Sequence, residues 1–320
     1  MARKTWKSDA SSGNLATAGN WSTASLPSVS DVALFREGEV SATSGSLTTG
    51  GCLFSADYTG DFGNSSFDVA VACFRKSVII DKPDGAMYAT FGTSSNKADL
   101  VIIRRLPPSG NHSLTLNATN VVIYSDNKLS RDAFDYMNIG GNVGSLYVVN
   151  KTTSNTYLSL NSLAIATGLY VCGPSVIEST GTTITGKVAI THPGALVTFG
   201  EGDTLQDDSY IAGGKVQFNA NNLSASNNVE LSNTKVTITN TQSAALAIGS
   251  FNLNPESRLV LNCPVAPAAG TITSYGGRLD SNYPLTATLS AYGKLSTTAF
   301  RALDFENAQN SGHFQTGIMA

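Results

Sequence analysis

Charge is scarce in this chain. Only 13% of its 320 residues are Asp, Glu, Lys or Arg, about half the usual share of a soluble domain. The formal net charge is −3, so no basic surplus points to a nucleic-acid backbone as partner. Histidine is scarcer still, at three residues. His112, His192 and His313 lie far apart beside turn residues, and no Ser/His/Asp order or H-x-x-x-H spacing joins them. The four cysteines, Cys52, Cys73, Cys172 and Cys263, include no CxxC pair and no cluster with histidine. Their strand-like surroundings read as buried, reduced, small apolar side chains. No run of about 18 apolar residues is available to span a membrane, which excludes insertion by a helix. Long segments of 3.6-residue apolar periodicity are also missing, and with them a βαβ or helical architecture. The start Met1-Ala2-Arg3-Lys4 is basic but is followed by no apolar core, so the expectation is synthesis in a cytoplasm.

What is abundant is Gly and short polar or β-branched residues, a mixture that suits strands, turns and polar corners. Between Gly186 and Thr297 one phrase recurs: a small or polar residue, a base, an aliphatic, then an alternating tail. The copies are Gly186-Lys187-Val188-Ala189-Ile190, Gly214-Lys215-Val216-Gln217-Phe218 and Thr234-Lys235-Val236-Thr237-Ile238, then Ser257-Arg258-Leu259-Val260-Leu261, Gly277-Arg278-Leu279 and Gly293-Lys294-Leu295. The bases Lys187, Lys215, Lys235, Arg258, Arg278 and Lys294 follow one another at a mean spacing near twenty, the first interval being the longest and the last the shortest. Self-similarity at such a period is the signature of a repeat architecture.

The alternation inside each copy is the period-2 signal of a half-buried strand. Val188/Ile190, Val216/Phe218, Val236/Ile238 and Leu259/Leu261 would face inward, and Lys187, Lys215, Lys235 and Arg258 outward. About twenty residues per repeat fits one coil of a single-stranded, right-handed parallel β-helix: short strands joined by polar corners and stacked at about 4.8 Å per coil. The alternative is a β-sandwich or jelly roll, whose many short strands would alternate too. The expected division is a capping segment at 1–36, an all-β solenoid at 37–297, and a C-terminal tail at 298–320 docked on the solenoid or on a partner subunit. Residues 36–126 contain strand-like runs of less even spacing, among them Cys52-Leu53-Phe54, Val78-Ile79-Ile80, Leu100-Val101-Ile102-Ile103 and Val121-Val122-Ile123-Tyr124. Ser130 to Met137 has a faint helical pattern.

Candidate chemistry is thin. Glycoside cleavage requires two carboxyls flanking a bond, and the acids close enough in sequence are Glu201/Asp203, Asp207/Asp208 and Asp57/Asp61. The same oxygens would suit Ca²⁺, but no twelve-residue loop accompanies them, and their Gly-rich setting reads as turn and solvation chemistry. Gly140-Gly141-Asn142-Val143-Gly144 lacks the Lys-Ser/Thr and the helix of a phosphate cradle, so it reads as a turn. Tyr88, Tyr136, Tyr157, Tyr210, Tyr275, Tyr283 and Tyr292 lie in or beside turns, where they could meet a sugar or a protein. No catalytic, cofactor or metal residue is assigned, and the expectation is a non-enzymatic protein without a cofactor.

Trp6, Asn20-Trp21-Ser22, Leu26-Pro27, Asp31 and Phe35 form a pattern that resembles the opening of autotransporter passengers and related pectin-lyase-like solenoids. Physically it reads as a cap: the first coil has no predecessor over its core, and large aromatics close it. A polar β-solenoid with expected cytoplasmic synthesis and no catalytic constellation resembles a β-helical virion protein of a tailed bacteriophage. That resemblance implies a capsid decoration or minor head protein, made in the host cytoplasm and displayed on the virion. Its implied partners are the major capsid protein or other virion proteins, further copies of itself in a trimer, and a host surface glycan, with no nucleic acid and no membrane insertion. The alternatives are a tail fibre or tailspike that binds or cleaves host polysaccharide, and a bacterial β-helical adhesin.

Overall fold

Strands in this protein hydrogen-bond to strands one coil away, side by side and in the same direction. A computed structural model describes residues 2–38, 40–64, 69–73, 77–82, 85–105, 112–125, 137–219, 223, 228–239, 249–263, 271–281, 288–291 and 315–316. It comprises two units, Met1–Ala166 and Thr167–Ala320, and each is a stack of parallel β-coils. The sandwich alternative is thereby excluded, because face-to-face antiparallel hairpins are not how these strands pair.

In Met1–Ala166 one sheet is the succession Arg3–Thr5, Val32–Phe35, Gly51–Phe54, Ser77–Asp81 and Ala98–Arg105, continued by the later halves of His112–Ser125 and Met137–Asn150. A second sheet stacks Ser46–Thr49, Val69–Cys73, Tyr88–Phe91 and the earlier halves of the same two long strands. Val32 meets Gly51 while Cys52 meets Val78, so the second of these coils is distinctly longer than the first. Corners absorb the difference. At one of them Gly63, with φ +76°, passes so close to the coil above that a Cβ would lie 2.0 Å from the Tyr88 carbonyl oxygen, which only glycine permits.

Phe35, Phe54, Ile80, Ile103, Ile123 and Val148 form one buried rung-to-rung ladder of the first sheet, and Ala33, Cys52, Val78, Val101, Val121 and Leu146 the other. The ladder starts under an aromatic cluster. Trp6 and Trp21 meet edge to face at 5.4 Å, and both touch Phe35, at 6.1 and 5.7 Å. Each indole N–H is satisfied, Trp6 donating to the Val40 carbonyl and Trp21 to that of Leu15, as buried indoles require. Asn20, wholly buried, receives the Ser11 N–H and donates to the Ser12 and Asn14 carbonyls. Asp31 accepts from the Ser28 N–H and hydroxyl. The residues of the opening pattern thus fold into an aromatic lid with a polar frame.

In Thr167–Ala320 one sheet runs from the end of Thr156–Val171 through Lys187–Ile190, Ser209–Ile211, Asn228–Leu231, Ser250–Leu253, Thr271–Ser274 and Thr288–Ala291 to Gln315–Thr316. The other stacks Ser175–Thr180, Ala195–Phe199, Lys215–Asn219, Lys235–Thr239, Arg258–Asn262 and Arg278–Ser281. A short third side joins Thr183–Ile184, Thr204–Leu205 and Leu223. Ile177, Val197, Val216, Val236, Leu259 and Leu279 form a buried aliphatic ladder, and the rings of Phe199 and Phe218 stack at 5.1 Å in the next column. The inward and outward assignments made from the alternation hold.

One grouping changes. Lys215, Lys235, Arg258 and Arg278 stand in register on successive rungs, but Lys187 pairs beside Gly168 in the other sheet. The interval from Lys187 to Lys215 is the longest of the series because it passes from one sheet to the other. Ser130–Tyr136, the repeat copy at 293–295 and most of 298–320 lie outside the described residues.

Candidate interaction surfaces

The acids singled out for chemistry are spent on corners. Asp203 is 2% exposed. Its Oδ1 accepts the Thr182 N–H at 2.7 Å and its Oδ2 the Gly200 N–H at 2.9 Å. Burial pushes its carboxyl above the ordinary range, against the pull of those donors. Glu201, its sequence neighbour, is exposed on the turn. Asp208 accepts the Asn228 N–H and side-chain amide at 3.2 and 2.9 Å, and Asn228 Oδ1 in turn accepts the Ser250 hydroxyl. Asp207 accepts the Asp208 N–H. Asp61 accepts the Ala86 N–H at 2.6 Å, tying one coil to the next, and Asp57 does not join it there. Asp61, Asp203 and Asp208 are thus each engaged by a backbone N–H of a neighbouring coil.

The histidines serve the same purpose. His112 is buried and its Nδ1 accepts the Met87 N–H at 3.2 Å, while His192 Nδ1 accepts the Gly194 N–H at 3.0 Å. His313 lies outside the described residues. Gly140–Gly144 belongs to the continuous strand Met137–Asn150 rather than to a separate turn. The glycines permit a close approach, since a Cβ on Gly141 or Gly144 would sit 2.3 Å from a carbonyl oxygen of the neighbouring coil. Among the described residues no three His, Cys, Asp or Glu gather as metal ligands, and no helix is long and apolar enough to cross a membrane.

Three cysteines are buried as expected, and Cys172 is the exception, a free and exposed thiol. It follows the last residue of Thr156–Val171, where the chain leaves its ladder and the side chain turns to solvent. Burial raises the others: Cys73 to about 12, Cys263 to about 11, and Cys52 well above its ordinary value. Of the tyrosines, Tyr210 and Tyr275 are exposed, at 43% and 47%. Tyr88 and Tyr157 are half-buried. Tyr136, Tyr283 and Tyr292 lie outside the described residues.

Among the described residues two outward surfaces stand out. The first is the base row of Thr167–Ala320. Arg258 and Arg278 share the carboxylate of Asp280, the latter at 2.8 Å. Lys215 and Lys235, both exposed, form no ion pair with any described residue.

The second lies on the outside of the first sheet of Met1–Ala166. There the register places Leu34, Leu53, Ile79, Ile102, Val122 and Tyr147 on six successive rungs in one row. Leu34 is 5% exposed and the other five are half-buried. Six rungs extend about 24 Å at the usual strand spacing. Toward its start the row borders a concavity of about 580 Å³, floored by Leu34, Leu53 and Ile79 where Gly51 contributes no side chain, and rimmed by Arg3 and Arg36. Alongside, Asp81 and Arg105 pair on neighbouring rungs. A row this apolar on the outward side of a sheet makes this face a candidate contact surface. Alternation alone does not reveal it, though the sequence carries a signal. The runs at 52–54, 78–80, 100–103 and 121–124 are apolar at consecutive positions, whereas a one-sided strand alternates.

No family model, no curated protein and no solved structure matches the chain.

Proposed function

We propose that this chain is a non-enzymatic structural protein that works by assembling with other protein surfaces. The observation that carries the proposal is the outward apolar row of Met1–Ala166, set on a stack whose own core is already closed by inward ladders and an aromatic lid. A catalytic solenoid would be expected to present acids in a groove; here Asp61, Asp203 and Asp208 are engaged by backbone N–H groups. Rigid stacked coils with a dedicated contact face suit attachment. The resemblance to β-helical virion proteins supports a tailed-bacteriophage virion as the setting, with the chain a capsid decoration or minor head protein held by the major capsid protein or its neighbours.

Counting copies in purified particles tests this. Hundreds of copies per particle, located on the shell, are the expected result. No copies in particles from an expressing infection would end the virion reading. A second reading, a tail fibre or tailspike that grips an acidic host polysaccharide, is supported by the base row Lys215, Lys235, Arg258 and Arg278, in which the two exposed lysines stand on adjacent rungs about 4.8 Å apart while Asp280 engages both arginines. A few copies at the tail, with glycan retention lost on Lys215→Glu plus Lys235→Glu, would favour it.

A further inference from the structure

We propose that the outward apolar row of Met1–Ala166 is a homodimer seam in which two copies of the chain lie antiparallel. This deepens the structural reading, on which it rests, by naming the occupant of that face. An isologous interface needs a self-complementary surface, and a straight aliphatic row is one. The two-fold axis falls along the strand direction, midway between the Ile79 and Ile102 rungs. Ile79 then meets Ile102 of the second copy, Leu53 meets Val122, and Leu34 meets Tyr147. Each pairing is apolar on both sides, and the row is used from end to end.

Charge selects the same arrangement. Asp81 and Arg105 are register partners on the two rungs that flank the axis, and they already form an ion pair within the chain. Rotation about that axis lays Asp81 over Arg105 of the second copy and Arg105 over its Asp81. Four groups of alternating sign then close a ring beside the aliphatic seam, where exclusion of water strengthens them. Arg36 comes to the end of the second copy's row at Tyr147, where a guanidinium beside a phenol ring is favourable. With the axis turned to the stacking direction, every rung would meet its own copy. Asp81 would then oppose Ser77, an uncharged residue, and the cross-copy pairing would be lost. The same holds for a parallel trimer.

The test uses the purified full chain. Light scattering after size exclusion, at micromolar concentration, should give a two-chain mass. Ile79→Glu and Ile102→Glu should each give the one-chain mass with an unchanged circular-dichroism spectrum. Both sites face outward, and a variant that lost its fold would be recognised from the spectrum. A second measurement covers that case. In a Cys172→Ser background, Leu53→Cys mixed with Val122→Cys should form a disulfide-linked pair under mild oxidation, while neither variant links to itself. A one-chain or three-chain mass for the wild type overturns the proposal. So does a two-chain mass that survives both Glu substitutions, or a Leu53→Cys chain that links to its own copy. The readout needs no particle, so the dimer can fail while the virion count stands, and the reverse.

Discussion

The Asp203 carboxylate reaches back across a corner to the N–H of Thr182, on the preceding coil, at 2.7 Å. It thereby adds a side-chain tie to the backbone bonds that join these coils, Thr204 N–H to the Thr182 carbonyl and Gly181 N–H to the Glu201 carbonyl. Asp203→Ala should leave that buried N–H without an acceptor, while the Gly200 N–H keeps the Ser179 carbonyl at 2.9 Å. A loss of about 1–3 kcal/mol is expected for the one orphaned group. Urea unfolding of the purified chain measures it, and an unchanged midpoint would remove the corner role.

Asp203 also sets a pH dependence. Its folded carboxyl titrates above the ordinary value of 3.8 because of burial. The folded state then holds the proton more tightly than the unfolded chain. The stability it contributes is present below 3.8 and is lost as pH rises through the folded pKa. Relative to Asp203→Asn, the wild type should therefore gain stability as pH falls from neutrality toward 3.8. Asp31 should behave oppositely, since the Ser28 hydroxyl lowers its pKa and protonation would cost that bond. Thermal melts should show Asp203→Asn diverging from the wild type as pH falls from neutrality toward 3.8, and Asp31→Asn diverging in the opposite direction as pH falls through and below 3.8.

Within the aliphatic ladder, Val216 is 2% exposed and its neighbour Lys215 faces solvent. Val216→Asp should destabilise Thr167–Ala320 by about 3–5 kcal/mol, the cost typical of an uncompensated buried charge, and Val236→Asp should match it. Lys215→Glu should change stability by under about 1 kcal/mol. Comparable damage from Lys215→Glu would mean the faces are inverted.

Phe35 touches Trp6, Trp21, Phe54, Tyr58 and Phe62, with ring centroids between 4.7 and 6.1 Å. Phe35→Ala should cost about 3–5 kcal/mol and diminish the near-ultraviolet signal of both tryptophans. Retention of that signal and of the melting temperature would show that the lid does not depend on this ring.

Thiol accessibility gives an independent check on the side-chain directions. In the native protein an aromatic disulfide reagent should titrate Cys172 rapidly and leave Cys52, Cys73 and Cys263 untouched, because their thiols are buried and raised. All four should react in denaturant. Rapid native reaction at more than one site would mean a ladder is open.

How far the sequence could be read depended on the strand. From Lys215 to Arg278 one face is apolar and the other polar, so period-2 alternation alone names the inside, and near-regular spacing names the coil. In Met1–Ala166 coils of unequal length, from Val32 to Gly51 and from Cys52 to Val78, hide the repeat. Moreover, strands such as Ser77–Asp81 are apolar on both faces, so alternation cannot say which of Ile79 and Ile80 is buried. The cap was legible because Trp6 and Trp21 are too large and too apolar to leave uncovered.

By itself, then, the sequence determined an all-β repeat: scarce charge, abundant β-branched and short polar residues, and a recurring alternating phrase admit stacked parallel coils, and strand pairing decided against a sandwich. It also determined the aromatic lid. Only the tertiary structure decided which residues share a row, because that depends on the register between strands a full coil apart. Register moved Lys187 out of the base row and turned Cys172 to solvent. It also aligned Leu34, Leu53, Ile79, Ile102, Val122 and Tyr147 into one surface, since residues far apart along the chain become neighbours only when coils stack.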